Sequence, residues 1–484
     1  MLFPPTTPAA AARPAAATSF GGRARPDRRS SIAQRGVVGA LSLVLLAPPS
    51  PAQSPAQSPS WQWAVQTTGP GVAQVRRIVA DGTGNSYVVG SFTGQVGFGR
   101  TTVTSRGGSD AFVAKLAWTG AWEWARAVGG AGADHATGVA LDGAGRVFVA
   151  GSFSQHAPFG KTALTSQGDA DVFVAQVSPQ GEWEWAAAAG GRGPDRAGAL
   201  ATSRAGELLV AGEFSDTARF GATALASRGG ADAFVARLAR TGTWQWATPA
   251  GGPDDDRAAA LATNAAGEIY VTGSFRNTAA FGDAPALWGR GLDDGYVAKL
   301  TSAGRWQWAT ACTSRTSAAG TALAVDPAGG VFAAGSFWGA ATFGTAALQG
   351  AGDTGFVARL TDGGQWQWAT ALASEPLESL AGLAVDRAGR LHVAGTYRAR
   401  LQAGPFGLAG RGRRDAFVGC LTRTGAWVSL TAAGAPDAPV LALGPGGEVY
   451  VGRAAGSAAG RPAHPAAAHP QQPMGAAARS VVKR

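Results

Sequence analysis

Three observations in the sequence predict an all-β fold built as a closed β-propeller. The pair Trp61-Gln62-Trp63 returns as Trp122-Glu123-Trp124, Trp183-Glu184-Trp185, Trp244-Gln245-Trp246, Trp306-Gln307-Trp308 and Trp366-Gln367-Trp368, and decays to Trp427-Val428-Ser429. Successive first tryptophans stand 61, 61, 61, 62, 60 and 61 residues apart, a period that marks a repeat architecture. Each period divides into four short runs rich in β-branched and aromatic residues, bounded by turn residues and without helical periodicity.

Residues 1–52 read as a signal peptide with a long basic leader carrying Arg23, Arg25, Arg28, Arg29 and Arg35. The 11-residue apolar run from Gly36 to Leu46 is too short to span a bilayer and suits a signal core. Small residues precede a cleavage point at Ala52 or Ala56. The length of the basic leader fits a true start inside it. Residues 53–60 are a Pro/Ser/Gln linker, and no later apolar run is long enough to cross a membrane.

From residue 61 each period supplies four strands. In the second period they are Gly138–Asp142, Arg146–Phe153, Asp171–Val177 and Trp183–Ala187. Between first and second strands a glycine recurs at Gly84, Gly145, Gly206, Gly267, Gly329, Gly389 and Gly447. Mostly polar residues three places earlier, such as Asp81 and Asp142, make this a tight hairpin loop with glycine at its positive-φ position. Gly-x-Trp, from Gly120 to Gly425, marks the turn into the fourth strand. The longest connection, between second and third strands, carries Phe-Gly at 98–99, 159–160, 220–221, 281–282, 343–344 and 406–407 and is expected to fold as a hairpin flap.

One four-stranded sheet cannot bury both its faces. Radial repetition lets each sheet cover its neighbour, which is the propeller solution to exposed edges. Counting first strands gives seven blades of four antiparallel strands between residues 61 and 453. The Trp61–Val65 strand precedes the first blade, so it is expected to close the last one. After Glu448–Val451 the sequence turns Ala/Pro/His/Gln-rich, and residues 454–484 read as a disordered tail. Either blade seven is incomplete or the reading frame is lost near 453; the second reading is favoured. Val481-Val482 is the one late strand substitute.

The unit ending in G-S-F, D-A-F-V-A-K-L and G-x-W-x-W-A resembles the SBBP-type repeats of secreted bacterial β-propeller proteins, over about residues 61–453. Relatives in that family often carry a C-terminal sorting domain, which is not seen here. The resemblance implies a propeller fold and a secreted or outer cell-surface location, and no particular activity.

The net charge of +10 resides mainly at the ends. The repeats hold 31 basic and 30 acidic residues, which argues against a nucleic-acid partner. Cys312 and Cys420 occupy non-equivalent repeat positions and make no disulfide framework. No metal, cofactor or catalytic motif is found, and five scattered histidines give no zinc site.

Thirteen of the 16 tryptophans occupy the Trp-x-Trp slot, with both rings of a pair expected on one side of the strand. Their use in every repeat argues for packing between blades rather than a ligand platform. The aspartates opening the third strands, such as Asp110 and Asp171, read as turn caps. The remaining candidates lead into the first strands: Asp134 and His135, Asp195 and Arg196, Asp256 and Arg257, and Glu378. Such loops ring one mouth of a propeller channel, where an acidic, partly basic ring could take a cation, sugar or peptide.

Seven near-copies offer little of the asymmetry that catalysis needs. The expectation is a monomeric, non-catalytic binding or structural scaffold outside the cell. Its partner would be an unknown extracellular protein or glycan. The alternative is a propeller enzyme, a hydrolase, lyase or quinoprotein-like oxidoreductase, with its site in the blade-specific loops 250–258 and 311–320.

Overall fold

The computed structural model describes residues 60–374, 377–410, 414–434, 440–444, 448–452 and 476–481. The expected signal segment, most of the linker, Gly447 and residues 454–475 lie outside them. Among the described residues there is no helix, and so none long and apolar enough to cross a membrane. The strands form a β-propeller. In the first full repeat Val72–Ala80, Ser86–Thr93, Asp110–Leu116 and Trp122–Val128 pair in chain order, all antiparallel. The tryptophan strand is thus the edge of its sheet.

The hairpins form because the turn residues supply their special geometry. Asp81 accepts backbone hydrogen bonds from Thr83 and Asn85 at 2.9 Å each, and Gly84 sits at φ 87°. Gly145, Gly206, Gly267, Gly329 and Gly389 share that left-handed conformation, where any side chain would be strained. The flap is also a hairpin, Gln95–Phe98 with Thr101–Thr104. Its turn recurs at the predicted Phe-Gly positions except in the sixth repeat. There Gly404, at φ 55°, takes the turn, and Phe406 opens the next strand. Ala403 replaces the usual phenylalanine, which hid the true alignment.

Four sheets of four strands stand alone. Three more four-strand groups are joined into sheets of six and ten strands, because the end of a fourth strand bonds to the flap of the following repeat, and three flaps form separate two-stranded sheets. Gly190 pairs with Arg219, Cys312 with Phe343 and Ala373 with Gln402 in this way. Flaps therefore act as straps between neighbouring sheets.

The two tryptophans of a pair do not share a side, contrary to the simple alternation of a strand. A β-bulge at the middle residue opposes Leu116 to Trp122 and Lys115 to Trp124, which turns the rings to opposite faces. The first ring meets its own flap: Phe98 and Trp122 stand edge to face at 5.1 Å, as do Phe220 and Trp244. The second covers the next repeat. Its ring lies over the glycine of the following Gly-x-Trp turn so closely that a Cβ there would stand 2.7 to 3.0 Å from it, from Trp63 over Gly120 to Trp368 over Gly425. That clearance explains the recurring glycine, and Trp124 also donates to Pro179 O across the boundary at 3.0 Å.

First strands of successive repeats pack side by side from Val72–Ala80 through Val440–Leu443, which returns against Val72–Ala80. The closing sheet runs Val440–Leu443, Val449–Gly452, Ala476–Val481 and Ser60–Gln66. The N-terminal strand therefore takes the outer place predicted for it. The third place is filled by Ala476–Val481, within the segment expected as tail. Backbone hydrogen bonds need no particular side chain, so a poor strand-former can fill a sheet that would otherwise be split. Tyr450 Oη donates to Gly84 O at 2.7 Å, and Trp63 stands 6.3 Å from the Tyr450 ring, so both ends of the chain hold the first repeat.

Candidate functional site

Each second-strand end, flap and incoming first strand meet at one end of the sheets, and the candidate residues lie there. The sequence Gly-Gly-x-x-x-Asp recurs as Gly129-Gly130 to Asp134, Gly190-Gly191 to Asp195 and Gly251-Gly252 to Asp256. The second glycine runs against the next flap: a Cβ on Gly191 would stand 1.8 Å from Thr217 O. Asp195 accepts from the backbone of Gly191 at 2.7 Å and of Ser215 at 3.3 Å, so it ties its own turn to the following repeat. Asp134 and Asp256 do the same with Gly130 and Ser154, and with Gly252 and Arg276.

Over the first glycine of each turn a second carboxyl closes in. A Cβ on Gly190 would stand 2.8 Å from both Asp171 Oδ1 and Asp195 Oδ2, and Gly129 and Gly251 lie likewise beneath Asp110 with Asp134 and Asp232 with Asp256. The partners Asp110, Asp171 and Asp232 are the turn caps expected, accepting from Arg106, Gln167 and Arg228. All six side chains are buried, and Asp171 Oδ1 and Asp232 Oδ1 have no hydrogen-bond partner. Burial, reinforced by the facing aspartate, raises Asp134 to about 6 and Asp195 and Asp256 to about 7. Burial alone raises Asp171 and Asp232 to about 6, and Asp110 upward. Two such facing carboxyls titrate as a coupled pair.

Thus Asp134, Asp195 and Asp256 face inward rather than towards a ligand. Their turns have too little room for a mobile side chain, and the backbone donors point in. The sequence signal for this inward placement is the Gly-Gly pair before each of them. In the next two repeats Ala318 and Glu378 take the slot; the Glu378 side chain lies outside the described residues. Among the described residues no group of three or more His, Cys, Asp or Glu could hold a metal.

The neighbouring slots present cations instead. Arg196 and Arg257 are exposed and share Glu213, at 3.3 and 2.7 Å. His135 is half-buried, 3.5 Å from Ser109 Oγ, and its pKa is lowered by burial and by Arg76 and Arg196. Arg76 is exposed and, among the described residues, donates only to Gln74 Oε1, at 3.3 Å. Half-buried Arg77 has no hydrogen-bond or ion-pair partner among the described residues, and burial lowers its pKa. His392 is buried with Nε2 3.2 Å from Asp386, a structural contact.

The three tryptophans outside the repeated slot are all exposed: Trp118 by 58%, Trp288 by 73% and Trp338 by 49%. Trp288 and Trp338 belong to the flap regions of adjacent repeats, and Leu292, 70% exposed, lies between them in the backbone network. Leu292 N donates to Thr316 O at 2.8 Å, Asp293 bridges Ser317, and Ser317 pairs with Trp338. The loops 250–258 and 311–320 singled out by the sequence contain none of these three side chains.

Fold and site together define a β-propeller with buried carboxyl pairs and a cationic rim on part of one end. No family model matches the chain, and no curated protein does. Among solved structures it is similar to a protein of unknown function from Bacteroides caccae, at 12% identity over 66% of this chain and 89% of that one, TM-score 0.36. A second, of unknown function from Dyadobacter fermentans, is 12% identical over 75% of this chain and 98% of that one, TM-score 0.39. An ulvan lyase of polysaccharide lyase family PL25, bound to its saccharide, is 13% identical over 82% of this chain and 93% of that one, TM-score 0.44. These likenesses carry no argument about ligand or reaction.

Proposed function

We propose that the chain is a secreted or cell-surface propeller of the SBBP-repeat type, with seven blades, acting as a non-catalytic binding scaffold. The seven-blade count is supported by seven first strands that follow one another around the axis and by four-strand pairings within the larger sheets. The observation that carries the non-catalytic reading is the fate of the repeated acids. Asp134, Asp195 and Asp256, which could have furnished acid–base chemistry, are locked by backbone donors inside closed turns. What remains exposed is charge and aromatic surface, which suits recognition. The expected partner is an extracellular glycan or protein and the expected state a monomer.

A glycan and peptide array probed with the secreted chain tests this. Retention of a defined ligand class without its cleavage is the expected result. Silence on every ligand counts against the binding reading, and release of shortened product from a retained glycan favours the enzyme alternative.

A further inference from the structure

We propose that the cationic arc formed by His135, Arg196 and Arg257 at the starts of their strands and by Arg76 midway along Val72–Ala80, continued by the Trp338, Leu292 and Trp288 strip, binds an acidic glycan bearing carboxylate or sulfate groups. This rests on the binding-scaffold reading and gives that reading its ligand class.

The arc is continuous. Val72–Ala80, His135–Leu141, Arg196–Thr202, Arg257–Thr263 and Ser317–Val325 pack in that order. The first four bring Arg76, His135, Arg196 and Arg257 to it, with Arg76 and Arg196 both acting on His135, and the fifth brings Ser317 with its partner Trp338. A sugar chain lying along the arc would pass from guanidinium groups to indoles.

Local charge is not balanced. Glu213 serves two arginines, Gln74 offers Arg76 only an amide oxygen, and Arg77 has no partner among the described residues. A desolvated guanidinium without a counter-charge is unfavourable, and an arriving anion supplies what the protein omits. Nearby acids offset only part of the field: the paired carboxyls are buried in their turns, Asp255 and Asp293 are taken up by Arg276 at 3.8 and 2.9 Å, and Asp254 accepts from the neutral amide of Asn277 at 2.7 Å and keeps its charge. Neutral His135 adds donor or acceptor capacity without charge.

A free oxyanion would need only the arginines. The strip argues for sugar rings as well: three of the four large exposed apolar side chains among the described residues gather there. An exposed indole offers a flat apolar face to the C–H side of a pyranose, and its rigidity keeps the ordering cost low.

The test is titration calorimetry on the full chain with dextran sulfate and polygalacturonate, against unmodified dextran, inorganic phosphate and a single-stranded oligonucleotide. The acidic glycans should bind and weaken with added salt. Arg76→Gln and Arg257→Gln paired with Glu213→Gln should each weaken binding roughly fivefold, the loss of one partly screened charge contact. Trp338→Ala should weaken dextran sulfate binding and leave any phosphate binding unchanged. Arg76 is exposed, so its variant reports on binding even if the Arg257 and Glu213 variant folds poorly; thermal melting identifies that case. Dextran binding as tightly as dextran sulfate overturns the anionic assignment while leaving the scaffold reading in place. Phosphate or the oligonucleotide binding as tightly as the glycans, or unchanged affinity in Arg76→Gln, also overturns the proposal. Cleavage of a bound acidic glycan would overturn the non-catalytic reading but keep the site.

Discussion

Raising the pH from 4 to 8 should destabilise this fold. The carboxyls of Asp134, Asp171, Asp195, Asp232 and Asp256 have folded pKa values raised to about 6 or 7 from an ordinary 3.8. Between those limits the folded chain holds protons that the unfolded chain has lost. Their stabilising contribution is therefore complete below about pH 4 and disappears as pH rises through 6 to 7. For Asp195 the rise from 3.8 to about 7 has a ceiling of about 4 kcal/mol, and water penetration halves it to about 2 kcal/mol. Three pairs then give roughly 3–6 kcal/mol, since members of a pair do not add fully. His135 and His392, with lowered pKa, act the other way but are two groups against three pairs. Below pH 4 protonation of Asp81, Asp142, Asp362 and Asp386, all lowered, should reverse the trend. Urea unfolding followed by tryptophan fluorescence at half-unit pH steps measures the curve. The triple variant Asp134→Asn, Asp195→Asn, Asp256→Asn should flatten it. A wild-type stability that climbs from pH 5 to 7.5, or an unchanged slope in the triple variant, would refute the buried-carboxyl account.

Removing one inter-repeat ring, Trp124→Ala, should cost about 3–5 kcal/mol in the same assay, because a buried aromatic leaves a cavity. Gly181→Ala should cost at least about 1 kcal/mol, since the turn sits at φ 86° and a Cβ would stand 2.8 Å from the Trp124 ring. An unchanged midpoint in either would discredit the ring-over-glycine contact. A chain starting at 54 should melt like the full protein, whereas deleting residues 61–65 should lower the calorimetric melting temperature. Equal melting of both would remove the N-terminal strand from the closing sheet.

Strand order was legible because the residues that set it, turn glycines and alternating apolar runs, act locally. Asp81 with Gly84, or Phe98 with Gly99, specify their hairpins within a few residues. The bulge inside Trp-x-Trp was not legible. It arises from pairing with Lys115 and Leu116, and alternation alone placed both rings on one face. The third strand of the closing sheet was also hidden, since Ala476–Val481 has little strand character and is recruited by partners far along the chain. At the site, spacing put Asp134, Asp195 and Asp256 in equivalent slots correctly. It could not show that they turn inward, because burial there depends on the following repeat's flap. The unpartnered state of Arg77 likewise depends on what neighbouring strands omit.

The ring-over-glycine contact has a direction. Each repeat offers a knob on one flank and a socket on the other, so no repeat can pair with a copy of itself face to face. Such a polar junction closes only when the accumulated rotation returns the last knob to the first socket. A chain one repeat short would keep a bare Trp ring at one end and an empty glycine cup at the other, and would grow head to tail with its neighbours into filaments instead of remaining a ring.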